Sequence, residues 1–187
     1  MKALVGSLVV SVIASTAAAP LPPGEQYTSP IGLPLVTTTM AQVQARLGAA
    51  PVASEGHDQD VACYFWPKSH TLVEFGVGRE GIDSTFTMRA VDNATLRRKC
   101  PEISADRVAN LAPAVGALHL GMTRTEFAAA LGLPEGATGV TFSRQEPMRH
   151  PDGSLDPQND IFTTIQISAL FDKDRLTELR ISKSAST

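Results

Sequence analysis

Only two cysteines, Cys63 and Cys100, occur among the 187 residues. That excludes C-x-x-C redox chemistry and any cysteine-rich metal site. No cysteine follows the apolar N-terminal run, so a lipoprotein attachment site is missing too. Positive charge is neither abundant nor clustered: 16 Lys and Arg stand against 19 Asp and Glu, a formal net charge of −3. Nucleic acid and anionic membrane surfaces are therefore not indicated as partners, since both require a basic stripe. His57, His70, His119 and His150 are scattered, with no H-x-x-x-H or H-E-x-x-H spacing. A G-x-S-x-G elbow, an S-x-x-K pair and a glycine-rich phosphate loop are all lacking, so no catalytic residue, metal ligand or cofactor is assigned. An enzyme survives only as a constellation of distant groups that folding would assemble.

What is present begins with "MKALVGSLVVSVIASTAAAP". One lysine, a short apolar run and a string of small residues form the pattern of a secretory signal peptide over residues 1–18. The run is too short to span about 30 Å of hydrocarbon, so stable membrane insertion after cleavage is not expected. The expected location is the periplasm or the exterior. That compartment is oxidising, and two cysteines there predict a Cys63–Cys100 disulfide. Residues 19–30 follow as a proline-rich leader, expected to be extended.

Two later segments repeat one pattern. "TTTMAQVQARLG" (37–48) and "GMTRTEFAAALG" (121–132) align at a constant offset, with Thr39 on Thr123 and Gly48 on Gly132. Thr39 with Gln42, and Thr123 with Glu126, are spaced as capping boxes. Val43 and Leu47, like Phe127 and Leu131, lie one turn apart and predict a buried stripe. Gly48 and Gly132 are expected to end the helices in the left-handed conformation, with a proline close behind each.

Alternating segments follow each helix. "VACYFW", "HTLVEFGVG" and "IDSTFTMRA" predict three strands after the first, and "VTFSRQ", "IFTTIQISALF" and "LTELRIS" three after the second. The links "GREG" and "DKDR" carry hairpin chemistry. Within the first set, Val73, Phe75, Ile82, Phe86 and Met88 are expected on one face, and Glu74, Asp83, Thr85, Thr87 and Arg89 on the other. The resulting expectation is an α+β protein of two tandem helix-plus-antiparallel-sheet modules, 31–91 and 114–187, joined by a connection over 92–113. Each helix would lie on the apolar face of its own sheet.

The motif at 118–134 and its degenerate copy at 35–51 resemble the modules of the beta-lactamase inhibitory protein and the SmpA/OmlA type of outer-membrane lipoprotein. The resemblance implies helices backing a sheet whose other face and hairpin loops engage a partner protein. It assigns no functional residue, because the partner-contacting positions of those families lie outside the matched motif.

The candidate binding residues come instead from what the two copies do not share. Alternation in "CYFW" separates Tyr64 and Trp66 from Cys63 and Phe65, and the expected open face carries Tyr64 and Trp66 with Glu74 and Arg89; a core position for Trp66 is the alternative. "QEPMRHPDGSLDPQND" (145–160) has the composition of a solvent loop, with a partner-inserting hairpin bearing Met148, His150 and Leu155 as the sharper reading. Asp152, Asp156 and Asp160 recur every fourth residue but lack the order of a calcium loop. Together these point to an exported, non-enzymatic protein that binds an envelope or extracellular protein. The alternative is a small-molecule or lipid carrier with a cleft between the modules, walled by Leu118, Leu120 and Met122.

Overall fold

Both helix starts form as the capping boxes require. In the computed structural model, which describes residues 23–55, 59–78, 83–91, 100–104, 106–107, 113–149, 152 and 154–186, α1 spans Met40–Leu47 and α2 spans Arg124–Leu131. The Thr39 amide donates to Gln42 Oε1 at 2.8 Å, and the Gln42 amide donates back to Thr39 Oγ1 at 3.3 Å. Thr123 and Glu126 repeat the exchange at 2.6 and 3.2 Å. Two orphan amides are satisfied at each N-terminus.

The stops differ. Gly132 adopts the left-handed conformation (φ 66°, ψ 31°), and the Leu133 amide reaches the Ala128 carbonyl at 2.8 Å, which closes the final turn. Gly48 has positive φ but an extended ψ (φ 111°, ψ 168°), so the expected left-handed cap at that position is corrected. Its carbonyl instead accepts a hydrogen bond from Tyr64 Oη at 3.1 Å. Val43, Leu47 and Phe127 are buried as the helical spacing requires, whereas Leu131 is only partly so.

The strands are β1 (Val52–Glu55), β2 (Gln59–Trp66), β3 (Thr71–Gly78), β4 (Asp83–Ala90), β5 (Ala114–Val115), β6 (Leu118–His119), β7 (Gly139–Arg149), β8 (Leu155–Asp172) and β9 (Arg175–Ser186). Seven of them form one antiparallel sheet in the order β1-β2-β3-β4-β9-β8-β7, and β5 and β6 form a small separate hairpin. The expectation of two helix-plus-sheet modules is therefore corrected. Among the described residues the fold is mostly β, with two eight-residue helices on a continuous sheet rather than one helix on each of two sheets. The cause is edge chemistry: each meander alone would leave the backbone of its last strand unpaired on one side. β4 and β9 satisfy each other, in register from Asp83↔Ser184 to Arg89↔Glu178.

One apolar cluster runs across that seam. Val73, Phe75, Phe86 and Met88 from the first meander join Ile165, Ile167, Leu179 and Ile181 from the second, all at 3% exposure or less. Both helices contribute to this cluster, so they cover the same face of the sheet. Each such side chain contributes about 1.5–3 kcal/mol through burial. Ile82 lies outside the described residues.

The leader also packs on this face, contrary to the extended form expected of it. From Pro23 onward it is folded, with short 3-10 turns at Glu25–Tyr27 and Pro30–Gly32 and buried Tyr27, Ile31 and Leu35. Tyr27 Oη donates to the Ala130 carbonyl of α2 at 2.8 Å.

Cys63 and Cys100 are disulfide-bonded, as their number and setting predict. The bridge holds the described part of the connection against β2. Just beyond, the Phe65 amide donates to the Pro101 carbonyl at 2.9 Å and the Ile103 amide to the Phe65 carbonyl at 3.0 Å. This short pairing protects the part of the β2 edge that β1 does not reach.

Candidate partner-binding surface

Register decides which residues the sheet presents. Cys63 stands opposite Glu74, and Tyr64 opposite Val73. Partners in register project to the same face, so Tyr64 and Trp66 share the face of Val73 and Phe75. Their exposures of 1% and 2% place them in the core under the helices. The expectation of an open face carrying Tyr64 and Trp66 is corrected: the two residues do oppose Cys63 and Phe65, but it is Cys63 and Phe65 that share the face of Glu74. Burial also pushes the Tyr64 hydroxyl up to about 12 from its ordinary 10.0.

Glu74 and Arg89 do lie on the opposite face. Arg89 Nε reaches Glu178 Oε2 across the β4–β9 seam at 2.6 Å, and this raises the pKa of Arg89. Around that ion pair the face is polar and rich in hydroxyls, with Thr85 beside Ser182 and Ser182 beside Gln166 in one row of neighbouring strands. Among the described residues no helix packs there. A minor apolar cluster of Phe65, Leu72, Val91 and Cys100, with Cys63 against it, covers only the corner near the disulfide.

The segment 145–160 is not a long loop. β7 and β8 stay paired from Gln145↔Phe162 out to Arg149↔Leu155, with a register shift between Pro147 and Arg149. β9 ends its pairing with β8 at Ser186↔Phe162, so beyond Phe162 the two strands continue as a two-stranded arm. Leu155 on the arm is 52% exposed and Met148 partly buried, while His150 lies outside the described residues.

Two further exposed apolar side chains were not foreseen. Phe162 (48% exposed) and Leu170 (61%) project from β8 onto the open face, where the buried Thr163, Ile165, Ile167 and Ala169 define the other side. The alternation in "IFTTIQISAL" carried that signal. Leu118 and Met122, considered as walls of a cleft, are 0% and 4% exposed and belong to the core, with Leu120 packed against it.

On the helical side, Glu25 of the leader is held by the sheet. Lys183 Nζ donates to both its carboxylate oxygens at 2.8 and 2.9 Å, Thr28 Oγ1 donates at 2.9 Å, and an Arg144 guanidinium nitrogen lies 3.5 Å away. Burial alone pushes this carboxyl up, but the Lys183 and Thr28 hydrogen bonds and the two cations together bring it below its ordinary value. The second carboxylate on Arg144 is Glu146, at 3.1 Å. Next to these groups a cleft of about 340 Å³ is lined by Pro23, Glu25, Phe142, Arg144, Thr163 and Ile165, and by Thr141 and Ser143.

Among the described residues no group of three or more His, Cys, Asp and Glu side chains is arranged to hold a metal ion, and no helix is long and apolar enough to cross a membrane. Comparison with family models, with curated proteins and with solved structures finds no match to this chain.

Proposed function

We propose that the chain is an exported, non-enzymatic binding protein that engages another envelope or extracellular protein through the open sheet face and the β7–β8 arm. The observation that carries this reading is the pair of exposed apolar side chains Phe162 and Leu170 on the open face of β8, with exposed Leu155 farther along on the arm, beside a polar face that no described helix covers. Apolar groups of this size on a rigid surface contribute strongly to association when a partner buries them. A two-stranded arm is marginal by itself in water, and docking against a partner would order it further. The resemblance of 35–51 and 118–134 to inhibitor and assembly modules supports binding over catalysis. Export is supported by the signal-like residues 1–18 and by a disulfide that persists in an oxidising compartment.

The test is capture by the immobilised mature protein from an envelope or culture-fluid extract of the source cells, with wild type beside a Leu155→Ser, Phe162→Ser, Leu170→Ser variant. These positions are exposed, so the variant is expected to unfold within a few degrees of wild type. Wild type should retain a defined partner that the variant loses. Retention of the same set by both would contradict the assigned surface.

A further inference from the structure

Residues 23–35 of the leader are tied to one another. The Leu35 amide donates to the Thr28 carbonyl at 2.7 Å, the Tyr27 amide to the Gly24 carbonyl at 3.0 Å, and Thr28 Oγ1 to the Glu25 carboxylate at 2.9 Å. The groove that receives this unit is built from β7, β8, β9, α2 and the β5–β6 hairpin. Gly24 lies against the Phe142 ring and Ile165, Glu25 pairs with Lys183, and Tyr27 packs beside Gly116 with its hydroxyl on the Ala130 carbonyl. Every one of these contacts is non-covalent and reaches across the chain, so the leader docks as a ligand would.

A single strained turn joins this unit to α1. It spans Pro34–Thr38 and is closed by the Thr38 amide on the Pro34 carbonyl at 3.1 Å. Val36 at its centre has φ 76°. A β-branched side chain is strongly disfavoured in that conformation, so the closed turn stores strain. Ile31, at φ 46°, sits inside the leader and travels with it, which leaves Val36 as the strain that opening the turn relieves. Below the turn, a cleft of about 290 Å³ lined by residues 36–40 and Val77 takes the place of close packing. Short connections under strain favour exchange of the element they carry between identical chains.

From these we infer that the leader exchanges between two copies of this chain. The turn at 34–38 straightens, and the leader of each copy enters the groove of the other with the contacts it makes to its own. Glu25 of one copy then meets Lys183 of the second, Tyr27 meets Ala130, and both Val36 residues leave the left-handed conformation. The same contacts are satisfied within one chain or between two, so concentration sets the balance. Exchange uses the helical side of the sheet. Each copy keeps its open face, and the dimer offers two such faces at once, which raises avidity for a partner with repeated sites.

The Glu25–Lys183 pair supplies the test, because carboxylate and amine lie 2.8 Å apart. Equal amounts of light and isotopically heavy mature protein, disulfide intact, are unfolded together in urea and refolded at high concentration. A carbodiimide then couples carboxylate to amine as an amide, with loss of water, and monomer and dimer are separated by size. The dimer should yield coupled Glu25–Lys183 peptides with one light and one heavy member, and the monomer only pairs of one isotope. Val36→Gly relieves the closed turn and should weaken dimerisation at least about tenfold, since each dimer straightens two turns. The Leu155→Ser, Phe162→Ser, Leu170→Ser variant should dimerise as wild type does. A protein that stays monomeric overturns the inference. So does a dimer whose coupled pairs are all of one isotope, or a Val36→Gly dimer as tight as wild type. None of these results bears on capture through the open face, so the two readings fail separately.

Discussion

Arg89 and Glu178 meet across the one seam that joins the two halves of the sheet, Nε to Oε2 at 2.6 Å, although 89 positions separate them in the chain. Both are partly exposed, at 41% and 22%, so solvent screens the pair and its value is set by the surface range. Glu178→Ala is expected to cost about 0.2–1 kcal/mol in urea unfolding, with the loss shrinking as salt rises. Ile181→Ala on the other face of the same seam should cost about 2–5 kcal/mol. An inverted ranking would mean that charge, and not apolar burial, joins β4 to β9.

The Tyr64 hydroxyl is a structural donor. Tyr64→Phe leaves the ring in place but strips the Gly48 carbonyl of its partner, at an expected cost of about 1–3 kcal/mol. The alkaline side carries a second signature. The folded protein holds the Tyr64 proton up to about 12 while the unfolded chain releases it near 10.0, so stability falls as pH rises through that interval. Thermal unfolding between pH 10 and 12 should show a shallower loss for Tyr64→Phe than for wild type.

At acid pH the relevant group is Glu25. Its folded pKa lies below the ordinary 4.5, so the stabilisation it brings is complete above that value and disappears as pH falls through the folded pKa. Acid unfolding of Glu25→Gln should begin from a lower stability at neutral pH and decline less steeply below pH 4.5. Parallel curves for the two proteins would show that Glu25 pairs too weakly with Lys183 and Arg144 to secure the leader.

The disulfide closes a loop over 37 positions, and in the chain-entropy account its removal costs about 4 kcal/mol. The mass of the purified protein should be two protons below that of the reduced chain, with no thiol labelling under denaturing conditions. A Cys63→Ala, Cys100→Ala variant should show the full loss by denaturant unfolding, and equal stability would imply that Pro101–Ile103 holds its place through the Phe65 hydrogen bonds alone.

Local chemistry was legible in the sequence, and long-range pairing was not. The capping boxes at Thr39 and Thr123 depend on residues three apart, and the hairpin at Asp172–Arg175 on two turn residues, Lys173 and Asp174, that both take positive φ. The β4–β9 seam depends on strands at distant positions choosing each other, which alternation within either strand cannot reveal. Tyr64 and Trp66 went to the wrong face because period two fixes only that they oppose Cys63. The cysteine itself supplies the missing reference: it bonds Cys100 on the side away from the helices, next to Glu74. The arm has the composition of a loop because Pro, Gly and Asp dominate it, whereas a two-stranded ladder is held by backbone groups that composition does not report.

The proposed function places a partner on the open face and the arm. A photo-crosslinking residue placed in turn at Leu155, Phe162, Leu170 and, as a control on the helical side, Arg124, and irradiated in the source cells, tests it most directly. One common adduct mass is expected from Leu155, Phe162 and Leu170 and none from Arg124. Adducts from Arg124 alone, or no adduct at any of the four positions, would contradict it.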